Sequence, residues 1–272
     1  SGDVDMVSSV GGTAFKQIEA AEGVHLFTTP SGGYADIVMM MDRAPGNNPD
    51  FVMAIKHLQN RTRMVRSILK GQGGVGNDHP IGPAYGADHC ESIAERAFDP
   101  DKAKYHLKKS GVSSCQIHGS EGIWGGMDTV IMLQAEARKI GLKIDLKKVP
   151  YDGYWGSTWM NTPIHQSNWN MRPTAYVMME LAYSPEAPWN ESQWKSERMG
   201  MLLNPVRAET DAAKRKDVLC EMQMLIRDEA GTALPFHVNY IDGVSDKVKG
   251  MPKVPLEQFG GAEYPEFVWL DT

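Results

Sequence analysis

The chain has 272 residues, 42% of them hydrophobic, which is enough for one large or two small buried cores, and a formal net charge of −6. That acidic balance supplies no basic field for a phosphate backbone, so general nucleic-acid binding is disfavoured. No run of about 18 apolar residues occurs, so no segment reads as a membrane-crossing helix.

The N-terminal Ser1-Gly2-Asp3-Val4-Asp5 has neither a basic region nor an apolar one, and an export signal is expected either to have been removed or to lie upstream. From Pro49 to Lys70, Val52, Ile55, Met64, Val65, Ile68 and Leu69 recur mostly at helical spacing and Gly71 follows as a stop. This predicts one helix with a basic outer face. Gln72 to Gly86 is rich in Gly, Asn, Asp and Pro without period, and is expected to be an irregular loop.

Asp99 can cap a helix whose first position Pro100 fits and which Gly111 ends. Val130, Leu133, Ala137 and Ile140 form the stripe of a further helix closed by Gly141. Leu142, Ile144 and Leu146 then alternate with Lys143, Asp145 and Lys147, the period of a strand with one wet face. Tyr151 to Asn204 is aromatic without being regularly apolar. Thr210 or Asp211 caps a long helix with the stripe Val218, Leu219, Met222, Leu225 and Ile226. Gly231 ends it, and Leu234 to Tyr240 reads as a strand. The Pro/Gly-punctuated tail from Gly250 closes with Phe267-Val268-Trp269-Leu270, which calls for a surface to dock on.

Cys90, Cys115 and Cys220 match no zinc spacing, and the odd count leaves at least one thiol outside any internal bridge. A Cys90–Cys115 disulfide would close a short loop and suit an oxidising compartment, with Cys220 buried on the apolar side of its helix. The eight histidines lack the close pairing of a metal site, so no metal and no cofactor is expected. Lys214-Arg215-Lys216 reads as a solvated face. No Gly-x-Ser-x-Gly elbow, Walker loop or dinucleotide Gly-x-Gly-x-x-Gly is present, which argues against an enzyme.

The order of these signals resembles the peptide/nickel class of solute-binding proteins of ABC importers. The matching pieces are Gly2-Asp3-Val4-Asp5, the Arg61–Gly71 helix end, Phe98 to Gly111, Ala135 to Val149, Asp211 to Arg215, and Val248-Lys249-Gly250. The resemblance implies an α/β fold: a lobe of the type II periplasmic-binding-protein kind, with a mixed sheet flanked by helices, plus segments of a second lobe. Family members are roughly twice this length. By analogy, residues 1–43 and 238–272 are segments of lobe one with the hinge, and residues 44–237 are lobe two. The implied role is capture of a small peptide or an anionic or polar solute between lobes, outside the cytoplasm, for delivery to an inner-membrane permease. A lone lobe would expose a surface prone to self-association.

In peptide-binding relatives, a tryptophan is followed three residues later by an aspartate that pairs with the ligand's α-amino group. The matching positions here are Trp169 and Arg172, so the flat platform is kept and the acidic anchor becomes a cationic fork suited to carboxylate or phosphate. Arg172 is either that anchor or a surface arginine paired with a carboxylate such as Glu180. Trp169, flanked by Asn168 and Asn170, is either a stacking wall or lobe core. Tyr154 and Trp155, with Tyr151, either face the cleft or pack. Asp78, in Asn77-Asp78-His79-Pro80, either offers a polar contact or makes ordinary turn chemistry. A competing class is a protein-interaction module using the aromatic segment around Trp189-Asn190-Glu191-Ser192.

Overall fold

The computed structural model describes residues 3–271, so Gly2 of the N-terminal motif lies outside the described residues. A seven-stranded mixed sheet forms its spine. The strands are β1 (Met6–Val7), β2 (Val24–Met39), β3 (Gly73–Val75), β4 (Ser114–Gly119), β5 (Lys143–Lys148), β6 (Ile164–Trp169) and β7 (Thr232–Ser245). Their order is β1-β7-β2-β6-β4-β5, with β3 also paired to β7. β2 is antiparallel to β6 and β7, whereas β4 is parallel to β5 and β6.

The long β2–β7 pair contains two register shifts, between Pro30 and Tyr34 and between Ala35 and Ile37. Pro30 faces Asn239 while Tyr34 faces His237, so Ser31-Gly32-Gly33 bulges out of the ladder. Ser31 closes this bulge itself, its Oγ donating to the Val238 carbonyl at 2.7 Å and accepting the Gly33 N–H at 3.1 Å. β2 ends at Met39, within the expected 1–43 segment, and β7 runs through His237 without interruption.

Helices cover both faces of the sheet. On one side, α2 (Pro49–His57), α4 (Pro100–Ser110) and α5 (Gly126–Lys139) bury Phe51, Ile55, Leu107, Val130 and Leu133 against Ile37, Met39, Ile117 and Ile144. On the other, α7 (Ala175–Tyr183), α8 (Glu197–Ala208) and α9 (Ala212–Glu229) bury Met178, Met199, Leu219, Met222 and Ile226 against Tyr34 and Trp169. A small third cluster under α3 (Arg61–Ser67) joins Met64 to Phe236, Val238 and Tyr240. Short helices α1 (Phe15–Glu19) and α6 (Tyr154–Ser157) complete the set used below. Capping follows the sequence closely. Asp99 accepts the Lys102 N–H at 2.9 Å, Gly111 takes the left-handed conformation (φ 71°) after α4, and Asp211 accepts the N–H groups of Ala213 and Lys214.

Several expectations are corrected. Pro49–Lys70 is two helices rather than one, because Asn60 caps afresh, its side chain accepting the Arg63 N–H at 3.2 Å. Its basic residues do not all face water. Lys56 is fully buried with Nζ on the Arg227 carbonyl at 2.8 Å, and Arg61 is buried on Asp78. The Gln72–Gly86 loop is partly regular, since β3 adds to the edge of β7. Lys216 of the basic cluster reaches back to the carbonyls of Ala87 and His89 instead of facing solvent alone.

The disulfide joins Cys90 to Cys220, not to Cys115. The loop after β3 folds back over α9, bringing the two Cα atoms to 5.3 Å, and Gln223 secures it by accepting the Cys90 N–H and donating to the Asp88 carbonyl. Cys220 is thus half-buried and bridged, while Cys115 lies free on β4, its thiol pushed up to about 12 by burial. The C-terminal aromatics do not dock. Trp269 and Leu270 pair only with Val248–Lys249 and stay 61% and 56% exposed.

Candidate ligand-binding site

Beyond the end of β6, an open cavity of about 300 Å³ is lined by Trp155, Trp159, Ser167, Asn168, Trp169, Asn170, Arg172 and Trp189. β6 delivers Ser167, Asn168 and Trp169, and the chain that leaves it carries Asn170 and Arg172. α6 supplies Trp155, and the loop between α7 and α8 supplies Trp189. The rings form a chain of tilted and edge-to-face contacts: Trp155 to Trp159 at 5.8 Å, and Trp169 to Trp189 at 5.9 Å. The Arg172 guanidinium lies 5.6 Å from the Trp169 ring centroid, and its backbone N–H is held by the Tyr85 hydroxyl at 3.1 Å.

The wall is held from behind by a residue the sequence reading placed only within an aromatic interaction segment. Glu191 is 2% exposed; it accepts the Trp159 indole N–H at 2.6 Å and the Trp169 indole N–H at 3.0 Å, one on each oxygen. Its loop is stapled by Asn190, whose Nδ2 donates to the Ser184 and Trp194 carbonyls while its Oδ1 accepts the Trp194 N–H. Facing Glu191 from β2 is Asp36, 1% exposed, with no protein donor to either carboxylate oxygen. Burial, then the negative charge of Glu191, holds the Asp36 carboxyl well above the usual carboxylate range. Burial also raises Glu191, against the indole hydrogen bonds that favour its charged form. No spacing rule could have paired residues 36 and 191; a lone Asp inside an apolar run was the available signal.

Five of the residues singled out from sequence therefore meet at one cavity: Trp155, Asn168, Trp169, Asn170 and Arg172. Tyr154 lies beneath it, 1% exposed, with its hydroxyl on the Gln166 carbonyl at 2.8 Å. Asp78 is elsewhere and fully buried, its oxygens taken by Arg61 at 2.6 Å and Arg96 at 2.8 Å. Glu180 does not pair with Arg172 and instead accepts the Tyr176 hydroxyl. On the rim, the Tyr240 hydroxyl sits 3.3 Å from Asn170 Oδ1 and 3.2 Å from the Leu256 carbonyl. Among the described residues no His, Cys, Asp or Glu cluster has metal-holding geometry.

The family described as bacterial extracellular solute-binding proteins, family 5 (middle part), matches residues 1–189. The chain belongs to this family. The dipeptide-binding protein of Escherichia coli (strain K12) is 22% identical over 255 residues, covering 86% of this chain and 46% of that protein. The ABC transporter-associated periplasmic binding protein DppA of Helicobacter pylori, in complex with peptide STSA, superposes with TM-score 0.85 at 18% identity, covering 100% of this chain and 53% of that one. NikZ of Campylobacter jejuni, in complex with Ni(L-His), gives TM-score 0.85 at 15% identity over 99% and 58% of the two chains. The fold is therefore of the type II periplasmic-binding-protein kind, and the family 5 chain described here spans about half the length of these relatives.

Proposed function

We propose that this chain is part of the solute-binding component of an ABC importer, working outside the cytoplasm and capturing a peptide or similar small polar solute for delivery to a permease. One observation carries the proposal. Four indoles, two asparagines and one arginine line a single open cavity at the end of a sheet strand, the mix of apolar walls and a few fixed polar groups that small-solute sites use. The aromatic chain and half-exposed Trp155 and Trp189 then form one wall of a cleft whose other wall belongs to a second lobe. A ligand gains most when both of its faces are desolvated, so the wall alone should bind weakly and tend to self-associate.

The break in the β2–β7 ladder at Ser31–Gly33 is the natural place for the lobes to pivot, with the Tyr34–Met39 and Thr232–His237 halves belonging to the ligand lobe. Solute capture is tested on the native full-length protein, by calorimetry and tryptophan emission, with a mixture of short peptides and small organic acids. Binding that is lost in Trp169→Ala supports the proposal, whereas binding indifferent to that change and to Trp155→Ala removes this wall from the reading.

A further inference from the structure

Near Arg172, Glu191 is engaged by two indole N–H groups and Glu180 by the Tyr176 hydroxyl. Arg172, by contrast, makes no ion pair among the described residues, and its Nε is sequestered from solvent without an acceptor. A buried donor on a permanently charged group costs free energy until an acceptor arrives.

Resting on the solute-capture reading, we infer that the wall selects a small oxyanion, a carboxylate or phosphate, carried on a flat or ring-shaped body, and that it gives no place to a ligand's free ammonium group. The cation lies 5.6 Å from the Trp169 ring centroid, its backbone N–H is held by the Tyr85 hydroxyl, and its side chain lines the cavity. An incoming oxyanion takes up the guanidinium donors while the body of the ligand lies among the indoles of Trp155, Trp159 and Trp189. An ammonium placed there would meet Arg172 as a like charge.

The test uses the native full-length protein and a matched series: N-acetyl-L-phenylalanine (anion), N-acetyl-L-phenylalaninamide (neutral), L-phenylalaninamide (cation) and phenyl phosphate. Each is titrated to millimolar concentration with tryptophan emission and calorimetry as readouts. The two anions are expected to bind about tenfold or more tightly than the neutral amide, the worth of one charge-assisted hydrogen bond, and the cation least. The ratio of the two anions separates carboxylate from phosphate recognition. Arg172→Gln should bring anion and amide to equal affinity without abolishing the amide's binding, and Arg172→Lys should retain part of the preference. Cation binding equal to or better than the anion, or a preference unchanged in Arg172→Gln, overturns the inference while leaving solute capture intact. If no member of the series perturbs the indoles, this inference falls, and solute capture is decided by the peptide and organic-acid mixture.

Discussion

Glu191 and Trp169 are joined by a hydrogen bond of 3.0 Å that crosses from a loop to the end of β6, and the other Glu191 oxygen holds Trp159. One carboxylate thus fixes the orientation of two rings in the cavity wall, with Asp36 behind it. Glu191→Ala would leave two sequestered indole N–H groups without acceptors, at about 1–3 kcal/mol each. It is expected to lower the urea midpoint and red-shift tryptophan emission, while Glu191→Gln, which keeps one acceptor, should cost roughly half as much. Equal stability of all three proteins would show that Glu191 does not hold the wall.

Asp36 gives the pair a pH signature. Its folded carboxyl is raised above the unfolded value, so the native state binds the proton more tightly. The resulting stability is present below the unfolded carboxylate range and is lost as pH rises through the raised folded value. Asp36→Asn cannot lose that proton. Urea unfolding of both proteins across the acid-to-alkaline range should show the variant gaining on the wild type as pH increases; a constant gap would mean that Asp36 titrates normally.

Lys56 titrates with the opposite slope. Burial lowers it from 10.5 to about 7, so its charged form is a penalty to the fold that is fully present below pH 7 and disappears as pH rises toward about 10.5. The Arg227 carbonyl that accepts its ammonium also accepts Arg96 Nη2 at 3.0 Å, so removing the lysine orphans nothing. Lys56→Met is therefore expected to be neutral or stabilising at pH 6, with its advantage gone at pH 10, by urea midpoints at both values. A large loss at pH 6 would show that the ammonium is a structural necessity.

The Cys90–Cys220 bridge closes a loop with a sequence separation of 130, for which chain-entropy reasoning gives about 3–5 kcal/mol. Reduction, or Cys220→Ser, should lower the thermal midpoint and open the 77–96 segment to proteolysis, since that loop is otherwise fastened to α9 mainly through Gln223, Lys216, Arg96 and Arg227. Thiol labelling of the oxidised protein should find Cys115 alone, and slowly unless unfolded. Rapid labelling of Cys90 would contradict the pairing.

Asp78 pairs with two guanidinium groups in a dry site, one of which, Arg96, also holds Asp228. Asp78→Asn leaves Arg61 without a carboxylate and is expected to cost about 3–5 kcal/mol, read as a loss of chemical stability, with the ligand preference of the surviving folded fraction unaltered. A change in that preference would return Asp78 to the binding site.

What the sequence made legible was local. The Asp99 and Asp211 caps, the Val130–Leu133–Ala137 stripe and the Ile144 alternation each encode their structure within a few residues, and Trp169 and Arg172 were singled out through the family resemblance. β2 was not legible because it is buried on both faces from Ser31 to Met39 and so shows no alternation, and because it contains Pro30 and Gly32-Gly33, residue types that weaken a strand pattern. Trp194, Met199 and their neighbours were missed in an aromatic stretch whose apolar period is blurred by Pro, Asn and Ser. The Cys90–Cys220 pairing and the Asp36–Glu191 contact depend on chain crossings far apart in sequence, which no local pattern records.

The Tyr240 phenol has a single proton and two claimants, the Asn170 amide on the cavity rim and the Leu256 carbonyl in the C-terminal stretch. It can serve only one fully at any moment. The same hydroxyl thus stands between the residue that follows β6 and the stretch that follows β7.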